Sequence, residues 1–276
     1  VRIAATIFLT DRTIGPVRLA RELEQRGFAG LYLPEHTHIP VSRATPYPAG
    51  EPLPEEYGRM LDPFVALATA VAVTERLEVG TAITLVAQRD PIVLAKEIAT
   101  LDHVSGGRFT LGVGFGWNVE EAADHGVSDW RRRRELVRDR MAVMRALWSD
   151  EPVAHAGEFA SVQASHAYPK PAGGRVRTLV GGMAGPKVFS HVTDYADGWM
   201  PIGGGGLGEA LPKLRRAWEE AGRGPEGPVV VPTAVSPAPG KIARFRDLGI
   251  EEIIVQLPHA GTGEVLRTLD DYAQYL

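Results

Sequence analysis

The chain contains no cysteine. That absence excludes disulfide bridges, thiolate nucleophiles, iron–sulfur clusters and thiolate-bound zinc, and by itself identifies no redox compartment. Long apolar runs are missing too. The longest, Phe64 to Val73, is interrupted by Thr69 and has about half of the ~20 residues a membrane span needs. Neither sign of charge dominates: 30 basic residues face 34 acidic ones, a formal net charge of −4, so no overall field attracts nucleic acid or an anionic membrane. The opening residues, Val1-Arg2-Ile3-Ala4-Ala5-Thr6-Ile7-Phe8, lack the basic segment, apolar core and small-residue cleavage site of a signal peptide. A soluble, cytoplasmic protein is expected, with a small-molecule substrate and no nucleic-acid or membrane partner.

What is present is an alternation. Short apolar runs suited to buried parallel strands recur, each followed by a segment of helical periodicity, and no second compositional regime interrupts them. Strands are expected near Arg2–Phe8, Gly30–Pro34, Leu77–Leu85, Phe109–Phe115, Thr178–Val180, Gly198–Ile202, Val229–Thr233 and Glu252–Leu257. Helices are expected near Pro16–Arg26, Pro63–Thr74, Pro91–His103, Trp130–Leu147, Pro186–Tyr195, Gly208–Ala221, Lys241–Leu248 and Gly263–Tyr275, several of them opening with proline. Eight such units in 276 residues with 44% apolar content predict an α/β fold, a single (β/α)8 TIM barrel spanning residues 1–276 as one domain. The rival architecture, an open doubly wound sheet, requires a reversal of strand order. Two intervals exceed a simple βα turn: about 36–61, rich in proline and glycine, and about 150–177. Both are expected to shape a pocket, the first directly on the C-terminal face and the second by wrapping back over it.

Six segments come into question for chemistry or ligand binding. Pro34-Glu35-His36-Thr37-His38 puts an imidazole and a carboxylate at the end of the second strand, where His36 reads equally as a general base or cofactor clamp and as a structural residue. A His36/His38 metal site is disfavoured because no further ligands recur at a diagnostic spacing. In the third strand, Ala82 and Thr84 are small enough for a planar ring to approach the backbone, although plain filling of a barrel interior explains them as well. Gly112-Val113-Gly114-Phe115-Gly116-Trp117-Asn118 is not a dinucleotide fingerprint, since its spacing is G-x-G-x-G in the fourth unit. Those glycines suit a flat cofactor with Trp117 and Asn118 as its rim, or simple tight packing. Val180-Gly181-Gly182-Met183-Ala184-Gly185-Pro186 ends a strand and starts a helix, a turn whose backbone N–H groups can cradle a phosphate. Gly203–Gly206 reads as a flexible linker or a second anion contact. The run Arg131–Arg134 opens a helix against its dipole and is expected to face solvent or acidic neighbours, with an acidic cofactor tail as the weaker alternative.

Taken together, these segments resemble the luciferase-like monooxygenase family, in its F420-dependent (deazaflavin) branch. The resemblance runs in order through Gly27-Phe28, Leu33-Pro34-Glu35-His36, Leu61-Asp62-Pro63-Phe64, Gly80-Thr81-Ala82, Gln88-Arg89-Asp90-Pro91, Leu94-Ala95-Lys96, Asp102 to Arg108, Gly112 to Trp117, Tyr168-Pro169-Lys170-Pro171, Gly181-Gly182 and Asp197-Gly198-Trp199. It implies a barrel with the cofactor ring at the C-terminal face and a non-prolyl cis peptide at Ala82-Ile83 pressing on that ring. It further implies His36 beside the ring, Thr84 and Trp117 lining the cleft and Gly181-Gly182 receiving the phosphate. Met183 stands where the family commonly has Asn or Ser, and Asp90 where it often has His. The expected activity is hydride transfer between coenzyme F420 and a small organic substrate. The alternatives are an FMN-dependent monooxygenase served by a flavin reductase, distinguished by oxygen consumption, and a non-catalytic flavin-binding protein. A homodimer is expected from the same resemblance.

Overall fold

Proline occupies the first turn of five helices, where its missing N–H has no intrahelical partner to lose. In the computed structural model, which describes residues 1–276, strands and helices alternate from end to end. The strands are β1 (Arg2–Thr6), β2 (Gly30–Leu33), β3 (Glu78–Thr81), β4 (Phe109–Val113), β5 (His155–Ala156), β6 (Ser161–Val162), β7 (Arg177–Gly181), β8 (Gly198–Met200), β9 (Val229–Val230) and β10 (Glu252–Gln256). The α-helices are α1 (Pro16–Arg26), α2 (Pro63–Val71), α3 (Pro91–Ser105), α4 (Val119–Asp124), α5 (Arg133–Trp148), α6 (Pro186–Tyr195), α7 (Leu207–Glu220), α8 (Pro239–Asp247) and α9 (Thr262–Ala273).

Strands β5 and β6 form a small antiparallel hairpin, and the other eight run parallel in the order β10-β1-β2-β3-β4-β7-β8-β9. The ring closes beyond β9, where Val235 bridges Val255 and the Ile254 N–H donates to the Pro232 carbonyl at 2.8 Å. This is the expected eight-stranded barrel. Some elements are shorter than expected, for identifiable reasons. Regular pairing of β3 stops at Thr81, the Ala82–Ile83 peptide is cis, and pairing resumes at Thr84 against Val113. Pro232, with no N–H to donate, interrupts the seventh barrel strand. The helix expected from Trp130 divides into a 3-10 turn, Trp130–Arg132, and α5. Helix α4 was not expected at all; Asn118 caps it, accepting from the Glu121 N–H at 3.1 Å.

Two apolar layers hold the barrel. The larger lies between strands and helices, and a smaller interior cluster joins Ala4, Tyr32, Leu179, Met200, Val231 and Ile254, with Ala82 and Ile83 packed on it. The Tyr32 ring is accommodated because Gly80 has no side chain: a Cβ there would lie 2.5 Å from it. At the lower end the Tyr32 hydroxyl donates to Glu252, which also pairs with Arg177 at 3.0 Å. The interior is therefore filled below Ile83, leaving the C-terminal ends of the strands as the place for a ligand.

The two inserts part company. Residues 36–61 cover the C-terminal face, where the Leu61 N–H donates to Leu9 and Thr10 bridges Met60. The insert at 150–177 does not wrap over the mouth as expected. Its anchors lie on α3, α5 and the turn before α5: the Phe159 N–H on Asp139, Glu158 on Arg132, the Lys170 ammonium on the Leu147 and Ser149 carbonyls, and the Ala172 N–H on Asp102 at 2.7 Å. Unsatisfied carbonyls at the end of α5 draw that ammonium to the outer surface. The Asp102–Arg108 block is likewise architecture. Gly106 takes a left-handed conformation after α3, and the Arg108 guanidinium bonds the Thr74, Leu77 and Ser105 carbonyls.

Candidate active site

The barrel mouth is organised around His36, 9% exposed just past the end of β2. Its Nδ1 lies 2.7 Å from Oε2 of Glu121, and its Nε2 accepts from the Trp117 indole N–H at 3.2 Å. Glu121 is fully buried and also accepts from the Thr37 N–H at 3.3 Å, so one carboxylate of α4 grips two consecutive residues after β2. Tyr57, from the 36–61 insert, sets its ring 5.4 Å from the imidazole and 5.0 Å from Phe8, and shares a hydroxyl contact of 2.9 Å with Tyr47. Burial holds the Tyr57 phenol above its ordinary range. The insert is fastened to α4 by the Thr45 N–H on Glu120 at 2.9 Å. His38 turns to Asp124 and Thr37 instead of sharing partners with His36, and Thr37 also meets His125.

Sequence reasoning missed Glu121 and Tyr57. For Glu121 a signal existed: Asn118-Val119-Glu120-Glu121 has capping-box spacing, which announces a helix start and a glutamate with a definite job. That job differs from the one the motif predicts, because the carboxylate leaves the helix end and turns to His36. Asn118, expected on the rim, is buried as the cap. Tyr57 lies in an irregular insert whose fold no local pattern prescribes.

The neighbouring carboxylate, Glu35, faces away from the mouth. It accepts from the Leu85 N–H at 2.7 Å and from Arg89 Nε at 2.5 Å, and Arg89 continues to Asp62 and Glu97. Burial raises the Glu35 pKa against the pull of Arg89. Glu35 therefore pins the turn that follows Ala82 and Ile83. Asp90, at the position where His is frequent in the family, caps α3 through the Ile92 and Val93 N–H groups, both at 2.9 Å.

Several expected cofactor contacts are placed differently. Thr84 is fully buried, its hydroxyl donating to Thr81 at 2.9 Å, because its backbone belongs to the β3–β4 ladder; it does not line the cleft. Gly114 makes its close approach to the protein itself: a Cβ there would fall 1.9 Å from Cδ1 of Ile83, and one on Gly181 2.7 Å from Cγ2 of the same residue. The glycines of β4 and β7 thus make room for Ile83, which crosses the top of the barrel interior, while Ala82 and Ile83 remain partly exposed above it.

At the end of β7 a glycine turn leads into α6. Gly182 has φ +132°, its carbonyl accepts from the Trp199 indole at 2.9 Å, and α6 starts at Gly185 with no side-chain cap. Uncapped N–H groups at a helix start fit a phosphate group. Met183, 89% exposed, lies in this turn. The arginine run is spent mostly on protein: Arg132 pairs with Glu135 and Glu158, Arg133 stacks over Trp130, and Arg134 stacks over Phe115.

Residues 15–247 match the family model described as luciferase-like monooxygenase. The chain belongs to the luciferase-like monooxygenase family. Within it, the chain is 42% identical over 275 residues to an uncharacterised protein of Mycobacterium tuberculosis, a match covering 98% of this chain and 94% of that one. It is 30% identical over 161 residues to an F420-dependent glucose-6-phosphate dehydrogenase of Mycolicibacterium fortuitum, covering 55% of this chain and 47% of the relative. An F420-dependent secondary alcohol dehydrogenase solved with an F420–acetone adduct shares the fold with a TM-score of 0.78 at 18% identity, covering 100% of this chain and 98% of that one. A long-chain alkane monooxygenase shares it with a TM-score of 0.77 at 12% identity, covering 100% and 91%. The luciferase-like family model and the eight-stranded barrel agree, and no helix of this family member is long and apolar enough to cross a membrane.

Proposed function

We propose that the protein is an F420-dependent oxidoreductase that moves a hydride between the deazaflavin and a small organic substrate, with His36 handling the accompanying proton. The observation that carries this reading is His36 itself, at the barrel mouth with Nε2 free of any protein proton donor except the Trp117 indole. The residues fit the cofactor class at two places. The uncapped start of α6 beside Gly181 and Gly182 suits its phosphate, and partly exposed Ala82 and Ile83 offer a small apolar surface to a flat ring. The deazaflavin, when bound, supplies two-electron redox chemistry, and the protein supplies orientation and electrostatics.

On this reading Nε2 of His36 accepts or returns a proton at a substrate oxygen, while Tyr57, Trp117 and the 36–61 insert limit water around it. General catalysis by a positioned imidazole contributes about 10²–10⁴ in rate. Relatives whose names specify F420 support the cofactor choice, and FMN is the alternative because an FMN complex is described for a monooxygenase of the same fold. Fluorescence titration of the purified protein with F420 and separately with FMN tests the choice. Binding of F420 alone supports hydride transfer; preference for FMN, with oxygen consumption on adding a flavin reductase, replaces it with monooxygenation. Binding of neither removes both. His36→Ala is expected to lower turnover by about 10²–10⁴ with cofactor affinity kept, and unchanged turnover takes His36 out of the reaction. Assembly as a homodimer belongs to the same proposal and is read by sedimentation velocity.

A further inference from the structure

Glu121 buries a carboxylate that α4 does not need. Asn118 already caps that helix, and taking a carboxylate out of water is unfavourable unless its partners compensate. Its partners are His36 Nδ1 at 2.7 Å and the Thr37 N–H at 3.3 Å. On the other side of the imidazole stands Trp117, whose indole nitrogen can only donate, so Nε2 is an acceptor in that contact. A neutral imidazole with an acceptor Nε2 carries its one proton on Nδ1, facing Glu121. Two residues on one short stretch, Trp117 and Glu121, therefore specify the same tautomer from opposite edges of the ring.

We propose that Glu121 is a positioning residue that acts through His36: it fixes the Nδ1–H tautomer, aims the Nε2 lone pair into the mouth, and stabilises the imidazolium formed when Nε2 takes a proton. Its catalytic part rests on the hydride-transfer reading; its structural part does not. In the proton step a substrate O–H bond breaks, its electron pair stays on oxygen, and an N–H bond forms at Nε2. Glu121 orients the ring from behind, the part a buried carboxylate plays beside a catalytic histidine in hydrolases. Trp117 holds Nε2 until a substrate hydroxyl takes its place, so the indole marks the position of the reacting oxygen.

The first measurement needs no cofactor. Long-range 1H–15N spectra of the histidine rings in labelled, ligand-free protein are expected to show His36 with Nδ1 protonated and Nε2 bare. The double variant Glu121→Gln/Trp117→Phe, in which neither edge of the ring is specified because an amide can donate as well as accept, is expected to give mixed tautomers, and Trp117→Phe alone to retain the Nδ1–H form because Glu121 remains. An Nε2–H ring in the wild type, or a Trp117→Phe ring that loses the Nδ1–H form, overturns the proposal. Once a substrate is found with bound F420, Glu121→Gln is expected to lower kcat by about 10²–10⁴ with KM and F420 affinity within about twofold. Equal losses of kcat and F420 affinity would assign Glu121 a merely structural role. If no F420 turnover exists, the function reading fails while the tautomer result still decides the role of Glu121. Should Glu121→Gln not fold, the wild-type and Trp117→Phe spectra carry the test alone.

Discussion

His191 lies on α6 with its ring 4.7 Å from that of Phe115 and its Nδ1 3.0 Å from the Tyr195 hydroxyl. Burial, helped by the cations Arg138 and Arg134, pulls its pKa down to about 4. The folded protein therefore keeps this imidazole neutral while the unfolded chain takes up a proton near pH 6.5. A depressed folded value means that stability is fully present above pH 6.5, declines as the pH falls, and is lost as the pH passes through about 4. The full effect is about 3 kcal/mol. Urea midpoints at several pH values across that window should fall with acid in the wild type and less steeply in His191→Gln. Parallel slopes in the two proteins would assign the acid sensitivity elsewhere. Because α6 follows the glycine turn after β7 and His191 packs on Phe115, two residues past β4, the same titration is expected to loosen two walls of the mouth together.

At the scale of elements, the turn after β3 is held from outside the barrel. Glu35, at the end of β2, grips Leu85 and Arg89, and Arg89 also pairs with Asp62 at the start of α2 and Glu97 in α3 while lying over the Phe64 ring. Arg89→Met leaves the Glu35 carboxylate buried without its cation, and loss of one partner from a buried pair typically costs about 3–5 kcal/mol. Chemical denaturation should show that loss, and Glu35→Gln in the same background should recover part of it. A single variant within 1 kcal/mol of wild type would mean that water replaces the guanidinium. How far such elements were legible depended on whether their cause was local. Proline at helix starts and apolar runs for the strands are local, and they led to the eight-stranded barrel; the position of His36 just past a strand end is local too, and it puts that residue at the mouth. Thr84 and Gly114 were assigned to a ligand because small residues near a strand end look alike whether they face a cofactor or Ile83. Only the register of β3 against β4 separates the two, and register depends on residues about thirty positions apart. Glu121 is similar: its spacing from Asn118 announces a helix, while its contact with His36 arises from barrel closure.

Across the whole molecule the ring of strands is unevenly sewn. β1 pairs with β10 at five positions and β4 with β7 at four, whereas β8 meets β9 at two, as β1 meets β2 and β3 meets β4, and β9 forms no ladder with β10, which is reached beyond it through the Val235–Val255 bridge and the Ile254 N–H on Pro232. Pro232 removes a donor from that seam, and Ala234 takes a positive φ beside it. The covering helix is thin here as well, since α8 buries only Ile242 and Phe245. Subglobal opening starts where backbone bonds and apolar cover are fewest. The barrel should therefore open first between β8 and β10, next to the Gly203–Gly206 loop and on the side of the mouth opposite β3. Native-state hydrogen exchange resolves this. The Val231, Thr233, Val235 and Ile254 amides, which donate to Trp199, Pro201, Ile254 and Pro232, should exchange through a lower-energy opening than Val79 and Thr84, which donate to Arg108 and Gly112. Equal opening energies at both groups would make the barrel a single cooperative unit. A lower value at Val79 and Thr84 would place the soft wall against Ala82 and Ile83, which the proposed cofactor-binding role requires to be rigid.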